Sequence, residues 1–505
     1  MKVLFIHPSP LMFSELYLRL EPLGVERIAQ AARLAGHEVR ILDLQIFSNQ
    51  DYFSEIQEFR PDALGISVNY MANVPEVIDL AKKTRELLPK CFVFAGGHSI
   101  SFIAEEVLEH AQGAIDCILR GEGEPVVPML LEAFPDNGIQ QIPGVTTLDG
   151  RGPSPIMMES IDDCLPARDL TRNRHKYFIG ELDPCASIEF SRGCPWDCAF
   201  CSAWTFYGRS YRRASPARAA EELISIREPN VFIVDDVAFI HAEDGHAIAA
   251  ELERKRVRKK YYLETRSDVL LRNPEVFARW RKLGLTYMFL GIEALDEKGL
   301  DLFRKRITPD KNFEALEVAR KLDIMVAINI IADPSWDEQD FERVRKFALA
   351  VPEIVHITVN TPYPGTEIWH TESRKLTTLD YRLFDVQHAV LPTKLPLKKF
   401  YEELVKTQNI LNKKHLGLAA IRDVAWLSLS LLLRGQTNFI RMIWNFSKVY
   451  NPERQFADHQ QNVRYAMNPP KTRTISKPER QELYIHPGKL TPGGQQKIVL
   501  QAGSH

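Results

Sequence analysis

Charge of one sign is not in excess: 64 Lys and Arg stand against 66 Asp and Glu in 505 residues, a formal net charge of -2. The broad positive field of a dedicated nucleic-acid binder is missing, and no nucleic-acid partner is expected. Cysteine is scarce, with seven in the chain. The count is odd and the density too low for a disulfide framework, which points to a reducing compartment. Long apolar runs are missing too. The longest, Val424 to Leu433, stops at Arg434, short of the roughly 18–20 residues that span a bilayer. The amino terminus passes from Met1 straight into the strand-like Val3–Ile6, without the apolar core or cleavage site of a secretory signal. A cytoplasmic location is expected, with peripheral contact at the inner membrane.

What is present is an ordinary globular composition, 45% hydrophobic and 26% charged, long enough for two to four domains. The first 135 residues alternate strand and helix signals, which implies parallel β-α units in a doubly wound, Rossmann-like sheet. No G-x-G-x-x-G opens the first helix. Short loops follow the strands at His7, Ser67, Gly96-Gly97-His98 and Gly121-Glu122, the positions where such sheets hold ligands. Residues 136–180 lose their period, collect proline and glycine, and read as a linker. A second β-α series over 181–380, with six strands, predicts a partial TIM-like barrel whose chemistry lies at its carboxyl-end loops. Residues 381–465 read as a helical region and 466–505 as a flexible tail.

The sharpest local feature is Cys194-Pro-Trp-Asp-Cys198-Ala-Phe-Cys201, a C-x3-C-x2-C loop directly after the first barrel strand. Three thiolates on one short loop can ligate three irons of a 4Fe-4S cluster and leave the fourth open. Structural zinc usually takes four ligands from paired knuckles, and no second C-x2-C occurs in the chain. Cys91, Cys117, Cys164 and Cys185 lie apart and read as small buried hydrophobes.

This loop, placed after strand one of a partial barrel, resembles that of the radical S-adenosylmethionine (SAM) enzymes. The resemblance implies that Cys194, Cys198 and Cys201 hold the cluster. It also implies that the open iron chelates SAM and that one electron releases a 5'-deoxyadenosyl radical, which abstracts hydrogen from the substrate. Phe200 would lie along the adenine. Glu264, Arg266, Glu293 and Asn329, at the ends of strands three to five, become candidate SAM contacts. Buried ion pairs between Glu264 and Arg266, or Arg266 and Glu293, are the structural alternative. Strand five departs from the family pattern in having Ala327 and Asn329 where glycines are usual. The Thr361-Pro-Tyr-Pro-Gly365-Thr366 turn after strand six resembles that of the subgroup with an amino-terminal cobalamin domain.

That subgroup gives the first domain a meaning. Cobalamin would lie against Ser67, Gly96, Gly97, His98, Gly121 and Glu122. The D-x-H-x-x-G motif that supplies a cobalt-ligating histidine elsewhere is absent, so no protein histidine is expected on cobalt, with His7 and His98 as the alternatives to that expectation. The whole arrangement resembles the hopanoid C-3 methylases, implying methylation of an unactivated carbon on a lipophilic substrate, with reduction by a carrier such as flavodoxin or ferredoxin. An oxidative cyclase of the magnesium-protoporphyrin ester type and a non-enzymatic cobalamin sensor remain alternatives.

Overall fold

The computed structural model describes residues 1–134, 138–414, 418–468 and 483–485, with the backbone alone at 418–424 and at Ser447. Strand Lys2–His7 sets the pattern of the first half. Its side chains are buried on both faces, Val3 and Phe5 in one core, Leu4 and Ile6 in the other, as expected of a parallel strand covered by helices on both sides. Glu38–Asp43 and Ala63–Ser67 flank it in parallel, followed by Phe92–Gly96 and Cys117–Leu119. The spatial order of these five is second, first, third, fourth, fifth. The order reverses between the first and third strands, so their carboxyl-end loops diverge and open a crevice.

The stretch expected as a linker does more than connect. Val145–Thr147 and Gly150–Arg151 extend the first sheet as antiparallel edge strands. They were invisible to a period count because they span only three and two residues.

The second half is an open barrel of six parallel strands in sequential order: Cys185–Ile188, Asn230–Ile233, Lys260–Thr265, Leu285–Glu293, Met325–Ala332 and Ile354–Val359. Its outward apolar residues form the largest core, with Trp280 and Phe277 fully enclosed. Helix Leu397–Lys413 docks on Glu338–Ala350, tied by Arg345 to Glu403 at 2.8 Å and to Thr407 at 3.0 Å. Two further helices, Leu418–Leu433 and Asn438–Val449, form a hairpin, and Pro452–Asp458 returns to Leu397–Lys413. Of the tail expected to be flexible, most lies outside the described residues. In the described part, Leu483 and Ile485 are buried, and the Ile485 N–H donates to Thr205 O at 3.0 Å.

A seam of buried charge joins sheet and barrel. Arg192 binds Glu122, Glu124 and Glu189, each at 2.9 Å. Arg212 adds a second clamp on Glu122 at 2.7 Å. Nearby, Arg168 bridges Glu21 and Glu222, and Arg174 bridges Glu21 and Glu228.

Candidate active site

The cysteine loop turns out of the first barrel strand at Gly193. This residue has φ +95°, and a Cβ there would lie 2.3 Å from Ser210 O, so only glycine permits the turn. Its N–H donates to Asp236, at the end of the second strand, at 2.9 Å. Beyond it, Cys198 is buried and Cys194 and Cys201 are half-buried.

The loop is held from several sides. Trp204 Nε1 donates to Cys198 O at 3.0 Å, and Arg209 Nε to Pro195 O at 2.9 Å. Arg209, Arg304 and Arg306 bring their guanidiniums to 3.9, 4.0 and 2.8 Å from the buried Asp197 carboxylate. All three have positive φ, uncommon for a non-glycine residue. Left-handed backbone at three residues from two loops that meet on one carboxylate marks a place where the surrounding structure overrides local preference.

Burial pushes the Cys194 thiol well up and the Cys201 thiol to about 12, and the charge of neighbouring thiolates adds to both. Thiols at Cys194 and Cys201 that resist ionising suit a metal group whose positive charge stabilises thiolates. The all-sulfur donor set therefore fits an iron-sulfur cluster. The Ala203 N–H, 3.4 Å from Cys201 Sγ, is a backbone donor of the sort that tunes such clusters. Among the described residues, no three His, Cys, Asp or Glu side chains converge as ligands of a single ion. Ligands to separate irons need no such convergence. The other four cysteines are buried.

The strand-end candidates divide. Glu264 forms no ion pair among the described residues; burial, then the charges of Asp236 and Glu293, push its carboxyl up to about 7. Asp236 rises to about 6, chiefly through burial. Tyr70 reaches across from the first domain. Its ring is 46% exposed, yet burial and then the Glu264 charge raise its hydroxyl, as for a side chain lining an internal cleft. Asn329 donates to Thr358 Oγ1 at 2.7 Å, and its Oδ1 is buried without a partner among the described residues. An unmet acceptor within the fifth barrel strand fits a ligand N–H. Phe200 stands edge-on to Phe303 with centroids 5.4 Å apart.

Two SAM candidates are engaged by the protein itself. Arg266 donates to Asp268 at 2.8 Å, to Lys305 O at 2.9 Å and to Cys198 Sγ at 3.6 Å, with its guanidinium 4.5 Å from the Trp196 ring centre. Each terminal nitrogen has a partner, so it braces the cysteine loop rather than offering a free fork to a carboxylate. Glu293 pairs with Lys305 at 3.2 Å. Neither of the ion pairs that stood as the alternative, between Glu264 and Arg266 or Arg266 and Glu293, forms among the described residues.

On the sheet side, Ser67 and Gly96 are paired in register at adjoining strand ends. Gly97 has φ +122°, and a Cβ there would meet Val68 O at 2.8 Å. The Gly121 N–H donates to Ser101 Oγ at 3.1 Å. His98 stacks on Phe206 at 4.4 Å and bonds Ser202 Oγ at 2.8 Å. It thus ties the first domain to the helix behind the cysteine loop, and burial lowers it to about 4. Glu122 is a correction. Its oxygens are taken by Arg192, Arg212 and the Met158 N–H, so the seam consumes it. Ser9, Asn69 and Tyr70, which belong to the loops expected to hold ligands after His7 and Ser67 but were not among the expected contacts, line a cavity of about 210 Å³ at the reversal of strand order, with His7 on one wall and Ser187 and Val234 of the barrel on the other. The position of Asn69 and Tyr70 directly after the third strand was the available signal.

Residues 11–131 match the B12 binding domain family, and residues 188–348 match the Radical SAM superfamily. The chain is 60% identical over 96% of its length, and 95% of the relative's, to the hopanoid C-3 methylase of Methylococcus capsulatus. It belongs to the cobalamin-binding radical SAM enzymes. The anaerobic magnesium-protoporphyrin IX monomethyl ester cyclase of Cereibacter sphaeroides is 26% identical over 78% of this chain and 67% of that one. Among solved structures, the fold resembles OxsB, a cobalamin-dependent SAM radical enzyme, with TM-score 0.63 over 96% of this chain and 83% of that one at 14% identity. It also resembles the radical SAM methyltransferase TsrM of Kitasatospora setae, with TM-score 0.60 over 75% and 76% at 16% identity. This radical SAM enzyme is accordingly a cobalamin-dependent methyltransferase whose cofactors are a 4Fe-4S cluster, SAM and cobalamin. Among the described residues, no helix is long and apolar enough to cross a membrane.

Proposed function

We propose that the enzyme methylates C-3 of a hopanoid. The observation that carries this is the 60% identity, sustained across both cofactor domains and the helical region, with a protein named for that reaction. When bound, the cofactors supply a hydrogen-abstracting carbon radical and a transferable methyl group, the chemistry an unactivated ring carbon requires. The chain's own residues bind, orient and exclude water. Cys194, Cys198 and Cys201 hold the cluster, with Arg266, Trp204 and the arginines on Asp197 keeping their loop rigid. Glu264 and Asp236 offer carboxylates to the hydroxyl and ammonium groups of SAM, Asn329 Oδ1 accepts from it, and Phe200 packs along its adenine. Ser67, Gly96, Gly97 and Gly121 let cobalamin approach the strand ends closely. Burial keeps His98 neutral, and its Nε2 is engaged by Ser202. Arg209 and Arg306 leave a partly exposed positive rim beside the cluster loop, suited to an acidic one-electron carrier such as flavodoxin or ferredoxin. A triterpenoid resides in lipid, and peripheral contact with the inner membrane belongs to the same proposal.

Incubation of reconstituted protein with SAM, reductant and a hopanoid lacking the methyl group is expected to give 5'-deoxyadenosine, S-adenosylhomocysteine and a product heavier by one methyl. 5'-Deoxyadenosine without S-adenosylhomocysteine would overturn methylation in favour of oxidative cyclisation.

A further inference from the structure

The hairpin of Leu418–Leu433 and Asn438–Val449 departs from the rest of the surface. Trp426, Leu429 and Leu433, spaced to share one helical face, are 72, 49 and 80% exposed. On the second helix Arg441, Trp444 and Lys448 share a face, with Trp444 73% exposed and Lys448 Nζ 5.9 Å from its ring centre. The opposite face is spent on packing: Met442, Phe446 and Val449 lie on Phe13, Leu16 and Tyr450. Charge on this segment is one-sided. Between Lys413 and Lys448 the chain places six Lys and Arg and one acidic residue, Asp423, although the whole molecule is almost neutral. Two exposed indoles among cations form the pattern of a helix lying in the interface of an anionic bilayer.

Beside the second helix is a cavity of about 210 Å³, lined in part by Met12, Leu16, Phe178, Met442 and Val449 and in part by polar residues that include Glu15, Arg441 and Lys448. The single helical turn Ser14–Tyr17 divides it from the cavity at the strand reversal, with Leu16 lining the outer space and Ser14 the inner. We propose that this hairpin docks the enzyme on an anionic phospholipid surface. The purpose of such docking rests on the lipid substrate proposed for this chain; the docking itself is measured without substrate.

Holoprotein is sedimented with phosphatidylcholine vesicles that contain or lack phosphatidylglycerol. Binding is expected to the anionic vesicles alone and to weaken in high salt. Trp426→Ser with Trp444→Ser, and separately Arg434→Glu with Lys448→Glu, should each weaken binding about tenfold or more, while iron-sulfur and corrinoid absorption stay unchanged. Failure of the wild type to bind, or variants that bind as it does, overturns the proposal. So does a self-associated wild type that the tryptophan changes render monomeric, since the face would then belong to a second copy. If docking holds but hopanoid is not methylated, only the substrate assignment falls.

Discussion

Glu122, just past a strand of the sheet, and Glu264, near the end of a barrel strand, are carboxylates on the two sides of one interface, and they titrate in opposite directions. Burial raises both. At Glu122, Arg192 and Arg212 outweigh it and hold the carboxyl down at about 2; at Glu264 no cation does so, and the charges of Asp236 and Glu293 push it to about 7. The seam is therefore finished structure, its charges paired within the chain. The barrel mouth carries negative charge that the chain leaves unmatched, which is what a site for a sulfonium- and ammonium-bearing ligand requires.

The largest expected effect is at the mouth. Glu264→Gln keeps the shape, removes the unmatched charge and should lower kcat/KM about 100-fold or more, with the melting temperature unchanged or raised. Loss of fold with retained specific activity would move Glu264 into the class of Glu122. The reciprocal change, Arg192→Ala, strands Glu122, Glu124 and Glu189 in the seam. Removing one partner of a buried pair costs about 3–5 kcal/mol, read from urea unfolding, whereas specific activity of the folded fraction should stay near that of the wild type.

The two regions also predict opposite pH slopes. The folded pKa of Glu122 lies below its ordinary 4.5, so the stability it contributes is present above pH 4.5 and is lost as pH falls towards 2. The folded pKa of Glu264 lies above 4.5, so stability is highest below 4.5 and declines as pH rises towards 7. Unfolding of SAM-free protein across this range should show both limbs. Glu264→Gln should make the upper limb shallower and leave the lower one unchanged, Asp236, raised to about 6, supplying part of the remaining slope; an unchanged upper limb would remove Glu264 as a source.

Much of the fold could be read from the chain because its signals are local. Alternating strand and helix patterns disclosed both halves, and Cys194, Cys198 and Cys201 sit within one loop. What escaped depends on partners distant in sequence. Glu122 followed a strand and resembled a ligand contact until Arg192, 70 residues later, was brought against it. Arg266 looked like a free fork, but Asp268, Lys305 and Cys198 occupy it, two of them from other loops. The edge strands at 145–151 carry too few residues for any period. Nothing local could show that Arg209, Arg304 and Arg306 meet at Asp197.

Asn329 offers the smallest and finest test, because it stands where both behaviours meet. Its amide nitrogen is paired inside the protein with Thr358, as a seam residue would be, while Oδ1 is left open, as a mouth residue would be. If the open oxygen serves SAM, Asn329→Ala removes one hydrogen bond to a ligand, about 1 kcal/mol. KM for SAM should then rise about fivefold with kcat little changed. Asn329→Asp preserves an acceptor but loses the donor to Thr358, so it should recover part of the affinity at lower stability. A variant less stable than wild type with KM unaltered would show that the strand-five departure from glycine serves the Thr358 contact alone, and the mouth would then end at Glu264.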